Sequence, residues 1–90
     1  MTHNMEMYDL ARDPRQIGNV IRRARKERGW SQSVLAQKVA LRQETISLIE
    51  TGSPSTRIDT LLKVLAALDL EFQIAPRSKG SGENMERLFI

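Results

Sequence analysis

Apolar side chains recur at helical spacing along most of the chain. Asp13 and Pro14 are typical of a helix start, because aspartate caps free amides and proline fits the first turn. Gly29 suits the end of that helix, and Ser31 suits the start of a second one. A third short helix is predicted over residues 43–50. The apolar positions predicted to face the core are Ile17, Val20, Ile21, Ala24, Val34, Leu35, Val39, Ile46 and Ile49.

A fourth helix, predicted from about Arg57 to Leu68, is apolar over most of its circumference. Thr56 and Asp59 form an acidic variant of a capping box at its start. Asp59 and Lys63 are the charged residues within its central part. A helix of this composition buries more than one face, which in a small domain predicts contact with a second subunit.

Residues 70–74 alternate between apolar and polar side chains, which is typical of a strand, and Pro76 ends it. Leu70, Phe72 and Ile74 share one face of this strand. Because one strand cannot satisfy its backbone hydrogen bonds alone, its least demanding partner is the same strand of a second copy, paired antiparallel about a two-fold axis. The alternative is an extended linker that lies against its own core.

These patterns divide the chain into a flexible arm over residues 1–12, a helical domain over 13–69, a strand over 70–76 and a disordered tail over 77–90. The tail is polar until its last three residues, Leu88, Phe89 and Ile90. Those residues are either a frayed end or a short anchor for a pocket on a partner.

Composition excludes several kinds of chemistry. The 90 residues contain no cysteine and a single histidine, His3, so disulfide scaffolds, zinc fingers and thiol catalysis are excluded and a histidine-based centre is disfavoured. Glu44 and Glu50 lie six residues apart on one predicted helix and cannot form a catalytic carboxylate pair. We therefore expect no cofactor, no metal and no enzymatic activity, and with no membrane-spanning or signal segment we expect a cytoplasmic protein.

Positive charge is concentrated in the first third of the chain. The net charge is +3, and residues 1–30 hold seven of the fourteen Lys and Arg residues against four acidic ones. Most of this excess lies in Arg22, Arg23, Arg25, Lys26 and Arg28. It is either a solvated helix face or a footprint for a polyanion, and charge alone leaves both open.

Residues 30–52 form a helix, a three-residue turn and a second helix, with small Ala36 where the two helices cross. The outward residues of the second helix are short or polar, so it can enter a DNA major groove. The sequence reads S-Q-x-x-L-A over residues 31–36 and T-I-S-x-I-E-x-G over residues 45–52. Over residues 14–69 this pattern resembles the lambda-repressor-like, or Xre-type, helix-turn-helix family.

The segments outside the motif are most similar to HipB-type antitoxins: a first helix that starts at Pro14, the run Gly29 to Gln32, a strand after the fourth helix and a loose tail with an apolar end. The resemblance implies an all-α bundle of four to five short helices with one C-terminal strand that pairs across a homodimer. It also implies a repressor that binds a palindromic double-stranded DNA operator and autoregulates its own operon. The same resemblance implies that the protein neutralises a HipA-type kinase toxin and is a cytoplasmic protein associated with the nucleoid.

Site residues follow from the same resemblance. The base-reading positions are Arg42, Gln43, Glu44, Thr45 and Ser47, and the phosphate-contacting positions are Gln32, Lys38, Thr56 and Arg57. Gln32 is also expected to brace the recognition helix through Gln43. Glu44 either accepts a hydrogen bond from cytosine or repels phosphate, and the reading role is favoured. Arg25 and Glu50 correspond to a buried structural ion pair between the first and third helices.

Three residues depart from the family pattern. Ala40 replaces the usual glycine, which predicts strain if its φ is positive. Arg42 replaces the usual Ser or Thr cap, and Leu48 replaces a residue that is often polar. Trp30 is expected to plug the core after the first helix, in preference to stacking on a ligand.

Two alternatives to an antitoxin remain open. The first is a stand-alone Xre-type transcriptional regulator without a toxin partner. The second is a protein-only adaptor with a vestigial helix-turn-helix, which the polar outward face of residues 43–47 disfavours.

Overall fold

The structure, a computed structural model, describes residues 9–77. Within this range the chain forms α1 (Pro14–Glu27), α2 (Gln32–Val39), α3 (Gln43–Glu50) and α4 (Ile58–Ala67). The four helices enclose a core formed by Ile21, Leu35, Ala36, Val39, Ile46, Ile49, Val64, Leu65 and Leu68. The predicted all-α fold is confirmed for these residues, none of whose helices is long and apolar enough to cross a membrane.

The predicted starts of α1 and α2 are confirmed by side-chain caps. The Asp13 Oδ1 atom accepts from the Gln16 amide at 2.8 Å, and Pro14 occupies the first helical position. The Ser31 Oγ atom accepts from the Val34 amide at 3.0 Å. These caps define where each helix begins.

The turn between α2 and α3 forces Ala40 into the left-handed region, with φ 57° and ψ 44°. A residue with a Cβ atom pays about 1–2 kcal/mol for this conformation, so the predicted strain is present. The turn closes through the Leu41 amide, which donates to the Ala36 carbonyl at 2.9 Å. Arg42 follows as the N-cap residue of α3 and makes no side-chain capping hydrogen bond, as its replacement of Ser or Thr predicted.

Gly18 allows α1 to cross directly over the end of α3. A Cβ atom at this position would lie 2.5 Å from the carbonyl oxygens of Ile49 and Glu50. No side chain fits between two backbones this close. The sequence pattern of α1 did not single out Gly18, because the need for it arises from a helix more than thirty residues away along the chain.

The structure differs from the helix predictions in three respects. The capping box at α4 does not form, since Arg57 is the cap residue and the Thr56 hydroxyl donates to the Ser53 carbonyl at 3.3 Å. The loop that begins at Gly52 is one residue longer than the pattern indicated, because α4 begins at Ile58 and its predicted start was about Arg57. Val34 was assigned to the core but is 37% exposed, because Leu35 and Ala36 occupy the inward face of α2.

The segment after α4 has no regular secondary structure in the single chain. Its backbone leaves the helix through Asp69, which has a φ of 62°, and the Leu70 amide donates to the Leu65 carbonyl at 2.8 Å. Leu70 packs against the core, whereas Phe72 is 46% exposed and Ile74 is fully exposed. No strand forms within residues 9–77, and pairing of residues 70–76 across two copies stays a prediction.

The arm and the tail lie largely outside the described residues. Residues 9–12 precede α1 without regular structure, and Asp9 accepts a 2.6 Å hydrogen bond from Arg23. The apolar tail end at Leu88, Phe89 and Ile90 lies outside the described range.

Candidate nucleic-acid interface

The turn from α2 to α3 brings an exposed polar helix start to the surface. Arg42, Gln43 and Glu44 are all exposed, while Thr45 and Ser47 are partly buried along the same helix. Ile46 and Ile49 are buried on the opposite side of α3 and attach it to the core. The five predicted base-reading positions therefore lie on one short helix and its N-cap residue, and the start of this helix is its most accessible part.

A buried ion pair holds the far end of α3. Arg25 Nε donates to Glu50 Oε2 at 2.6 Å and Arg25 Nη2 donates to Glu50 Oε1 at 3.0 Å. The two side chains are 9% and 2% exposed. Arg25 Nη1 also donates to the Trp30 carbonyl at 2.8 Å, so a single guanidinium joins α1, the loop before α2 and the end of α3. The ion pair expected from the family pattern is present.

Gln32 connects this ion pair to the exposed start of α3. Its Nε2 atom donates to Glu50 Oε1 at 3.1 Å, and its Oε1 atom accepts a long hydrogen bond from Gln43 Nε2 at 3.4 Å. The contact between Gln32 and Gln43 was predicted, but the contact with Glu50 was not. Helical periodicity carries no signal for a bond between residues 18 positions apart on different helices.

Arg57 and Asp59 form an exposed pair at the start of α4. Arg57 Nε donates to Asp59 Oδ1 at 3.1 Å, and the Thr60 amide donates to the same carboxylate oxygen at 2.8 Å. The hydrogen bond from Arg57 lowers the pKa of Asp59, and the hydrogen bond to Asp59 raises the pKa of Arg57. Both groups therefore carry their charges at neutral pH, and the guanidinium predicted to contact phosphate already has a carboxylate beside it.

Trp30 lies against two cations, Arg28 of the basic cluster and Lys38, which is predicted to contact phosphate. The Lys38 ammonium lies 4.6 Å and the Arg28 guanidinium 5.2 Å from the centroid of its ring. Arg28 also donates to the Leu68 carbonyl at 3.1 Å, which ties the end of α1 to the end of α4. Trp30 is partly buried and packs against the core, in keeping with the predicted plug.

The residues of the predicted basic cluster therefore make different kinds of contact in the structure. Arg25 is buried, Arg28 bonds a carbonyl, and Arg23 pairs with Asp9. Arg22 and Lys26 are exposed on α1.

No cluster of potential metal ligands occurs in residues 9–77.

A family model described as Helix-turn-helix matches residues 21–74. This chain belongs to the helix-turn-helix family. Among curated members it is 31% identical over 86 residues to "Antitoxin HipB" of Escherichia coli O6:H1, covering 96% of this chain and 92% of that protein. It is 34% identical over 83 residues to "Antitoxin HipB" of Escherichia coli strain K12, covering 92% of this chain and 94% of that protein. These matches place it with the HipB antitoxins within the helix-turn-helix family.

Solved structures of similar fold come from the same group. A "HipA-HipB-O2-O3 complex" contains a chain with a TM-score of 0.72 and 31% identity, covering 79% of this chain and all of that one. A "HipB-O4 20mer complex" gives a TM-score of 0.73 at 31% identity with the same coverage. The four-helix arrangement described above is thus that of HipB-like helix-turn-helix proteins.

The buried ion pair can be tested by removing its carboxylate. We expect Glu50→Ala to lower the free energy of unfolding by about 3–5 kcal/mol, because it leaves the Arg25 guanidinium buried without a partner. Urea unfolding followed by circular dichroism measures the change. Glu44→Ala is the matched control, since Glu44 is an exposed glutamate on the same helix and should change stability by less than about 0.5 kcal/mol. Equal losses in the two variants would contradict a structural role for the pair.

Proposed function

We propose that this helix-turn-helix protein is a homodimeric, sequence-specific DNA-binding repressor and the antitoxin of a type II toxin–antitoxin module. One observation carries the proposal: a polar, exposed first turn of α3 is held by buried contacts in a chain that is similar to HipB antitoxins along nearly its whole length. The role is regulatory and involves no catalysis by this chain.

α3 is the helix proposed to read the operator. The major groove admits one helix and displays donors and acceptors that differ for each base pair. Arg42 suits guanine, Gln43 suits adenine, and Glu44 can accept from the amino group of cytosine. Thr45 and Ser47 are partly buried, so they can contact only DNA groups that lie close to the α3 backbone. The exposed residues of the first turn therefore carry most of the proposed base recognition.

Phosphate contacts are proposed for Gln32, Lys38, Thr56 and Arg57. Arg57 is the strongest of these, because it is 78% exposed and its charge stays accessible beside Asp59. The Lys38 ammonium lies against the Trp30 ring, while the Thr56 hydroxyl already donates to a carbonyl and would contribute mainly through its backbone amide. Contacts of this kind release counterions, so binding should weaken as the salt concentration rises.

Exposed apolar side chains favour a homodimer. Ile58 is 71% exposed and Leu62 is 46% exposed on α4, and Phe72 and Ile74 follow on the segment after it. Burying such side chains against a second copy removes apolar area from water. Two copies related by a two-fold axis would place their recognition helices about 34 Å apart, which matches one turn of a palindromic operator.

The proposed toxin partner is a HipA-type kinase. A solved complex that contains a similar chain is described as HipA with HipB, and we transfer that partnership to this chain. The apolar end of the tail, at Leu88, Phe89 and Ile90, is the proposed anchor on the toxin. We further propose that the complex represses its own operon in the cytoplasm, associated with the nucleoid.

Base reading by Gln43 is tested by Gln43→Ala. We expect this variant to lose about 1–3 kcal/mol of binding free energy on the preferred operator and to relax the choice at one base pair. Fluorescence anisotropy on operators that differ at single positions measures both effects. Gln37→Ala, at an exposed glutamine on α2, is the matched control and should retain the preference. A loss of equal size on every duplex would contradict base reading.

Strand pairing between two copies is tested at Ile74, whose side chain is fully exposed in one chain. Ile74→Asp should leave the stability of the monomer unchanged but weaken the dimer, because it places two carboxylates in the paired region. Sedimentation equilibrium measures the dimer dissociation constant. Gln73→Asp adds the same charge on the opposite face of an extended segment and should weaken the dimer much less. If both variants dimerise like the unaltered chain, residues 70–76 are not the interface.

The toxin partnership is tested by replacing Leu88, Phe89 and Ile90 with serine. We expect loss of a kinase-like partner in pull-downs from the native cytoplasm with unchanged operator binding, since the substitution removes apolar contacts far along the chain from α3. Replacing the polar tail residues Asn84, Glu86 and Arg87 with serine is the matched control. Retention of the partner would exclude the tail as anchor, and absence of any partner from the unaltered chain would favour a stand-alone regulator.

A further inference from the structure

Leu48 is an exposed leucine on the helix that is proposed to enter the major groove. Its side chain is 57% exposed, whereas Ile46 and Ile49 on the same helix are buried. It belongs neither to the core nor to the apolar residues that pack against the core. The other large apolar side chains exposed in residues 9–77 lie on the arm, on α2, on α4 and on the segment after α4. Packing within this part of the chain therefore does not account for an apolar side chain at Leu48.

Leu48 lies on the outward side of α3, one turn after Glu44. Residues four apart on a helix are neighbours on one side of it and are separated by about 6 Å along the axis. The opposite side of α3 carries Ile46 and Ile49, which attach it to the core. Successive base pairs are about 3.4 Å apart, so Leu48 would face a base about one or two pairs from the base that faces Glu44.

The last turn of α3 offers little to a phosphate group. The Thr51 hydroxyl donates to the carbonyls of Ser47 at 3.0 Å and Leu48 at 3.2 Å, and the Ser53 amide donates to the Leu48 carbonyl at 2.9 Å. This turn carries no basic side chain. A phosphate here would meet no cation and would face the negative end of the helix dipole. The group that this turn presents outward is the leucine side chain.

The chemistry of leucine restricts what it can recognise in the major groove. Its side chain has no hydrogen-bond donor or acceptor, so it can favour a base only by covering an apolar group that the other bases lack. The C5-methyl group of thymine is such a group, and it lies in the major groove. Cytosine carries a hydrogen atom at the same carbon and presents an amino donor beside it.

We propose that Leu48 is a base-reading residue that recognises the C5-methyl group of a thymine next to the base contacted by Glu44 or one pair beyond it. Leu48 stands where the helix-turn-helix pattern often has a polar side chain, so this role belongs to the present chain and is not carried over from its relatives. Burial of one methyl group changes an equilibrium constant by about fourfold. The inference rests on the proposed DNA-reading function of α3.

Replacement of single thymines by uracil tests this inference, because uracil differs from thymine only in lacking the methyl group. On the operator that the unaltered protein selects, we expect uracil at one thymine of each half-site to weaken binding by about threefold to fivefold in fluorescence anisotropy. Leu48→Ala should reduce this penalty to less than about 1.5-fold and leave the effect of uracil at other thymines unchanged. Leu48→Met, which keeps an apolar side chain of similar size, should retain the penalty.

Leu10→Ala is the matched control. It makes the same truncation at a leucine that is 68% exposed on the arm before α1. Because Leu10 is not on the recognition helix, this variant should show the same uracil penalty as the unaltered protein.

Methylation of cytosine gives the converse readout at the same position. With a cytosine–guanine pair placed there, 5-methylcytosine should bind the unaltered protein about threefold to fivefold more tightly than cytosine. The two duplexes present the same donors and acceptors, so hydrogen bonding to the bases does not distinguish them. Leu48→Ala should bind both duplexes equally.

Two results would overturn the inference and leave the proposed function standing. The first is a selected operator in which no thymine is sensitive to uracil, or a uracil penalty that persists in Leu48→Ala. The second is a weaker dimer of Leu48→Ala in sedimentation equilibrium with an unchanged uracil penalty, which would assign the side chain to a protein contact. An unaltered protein that selects no operator would overturn the proposed function and this inference together.

Discussion

The buried pair between Arg25 and Glu50 is the interaction on which the rest of the structure depends. Its guanidinium bonds both the last residue of α3 and the carbonyl of Trp30, so one side chain joins three parts of the fold. Such a pair adds little net stability over well-packed apolar residues, because both charges lose their hydration. What it supplies is a defined geometry, since neither charge can remain buried in another arrangement. The close crossing of α1 over α3 at Gly18 brings the two backbones near enough for this contact.

This constraint matters because α3 is too short to be stable by itself. An isolated helix of eight residues is marginal in water, and this one also starts without a side-chain cap. Its position therefore comes from contacts at its buried side and at its end, while its first turn is free to contact a ligand. The C-terminal end of α3 is held by buried contacts, and its first turn, which is proposed to recognise DNA, is exposed. A HipB-like protein of this size can in this way present a defined surface from a small core.

The distribution of charge shows how a count of basic residues can mislead. The excess in the first third left open a footprint for a polyanion, but Arg25 is buried, Arg23 pairs with Asp9, and Arg28 lies against Trp30 and a carbonyl. These cations act within the fold. The groups proposed to contact DNA come instead from α2, α3 and the start of α4, where the net charge of the sequence is balanced.

The sequence by itself determined the helices, their caps at Asp13 and Ser31, the strained Ala40 and the residues of the exposed turn of α3. These features depend on local spacing and on the preferences of single residues, which can be read along the chain. Only the tertiary structure decided that Gly18 lies against α3, that Thr56 does not cap α4 and that Gln32 bonds Glu50. Each of these depends on which distant backbones and polar atoms come together when the helices pack, and periodicity within one helix carries no information about that.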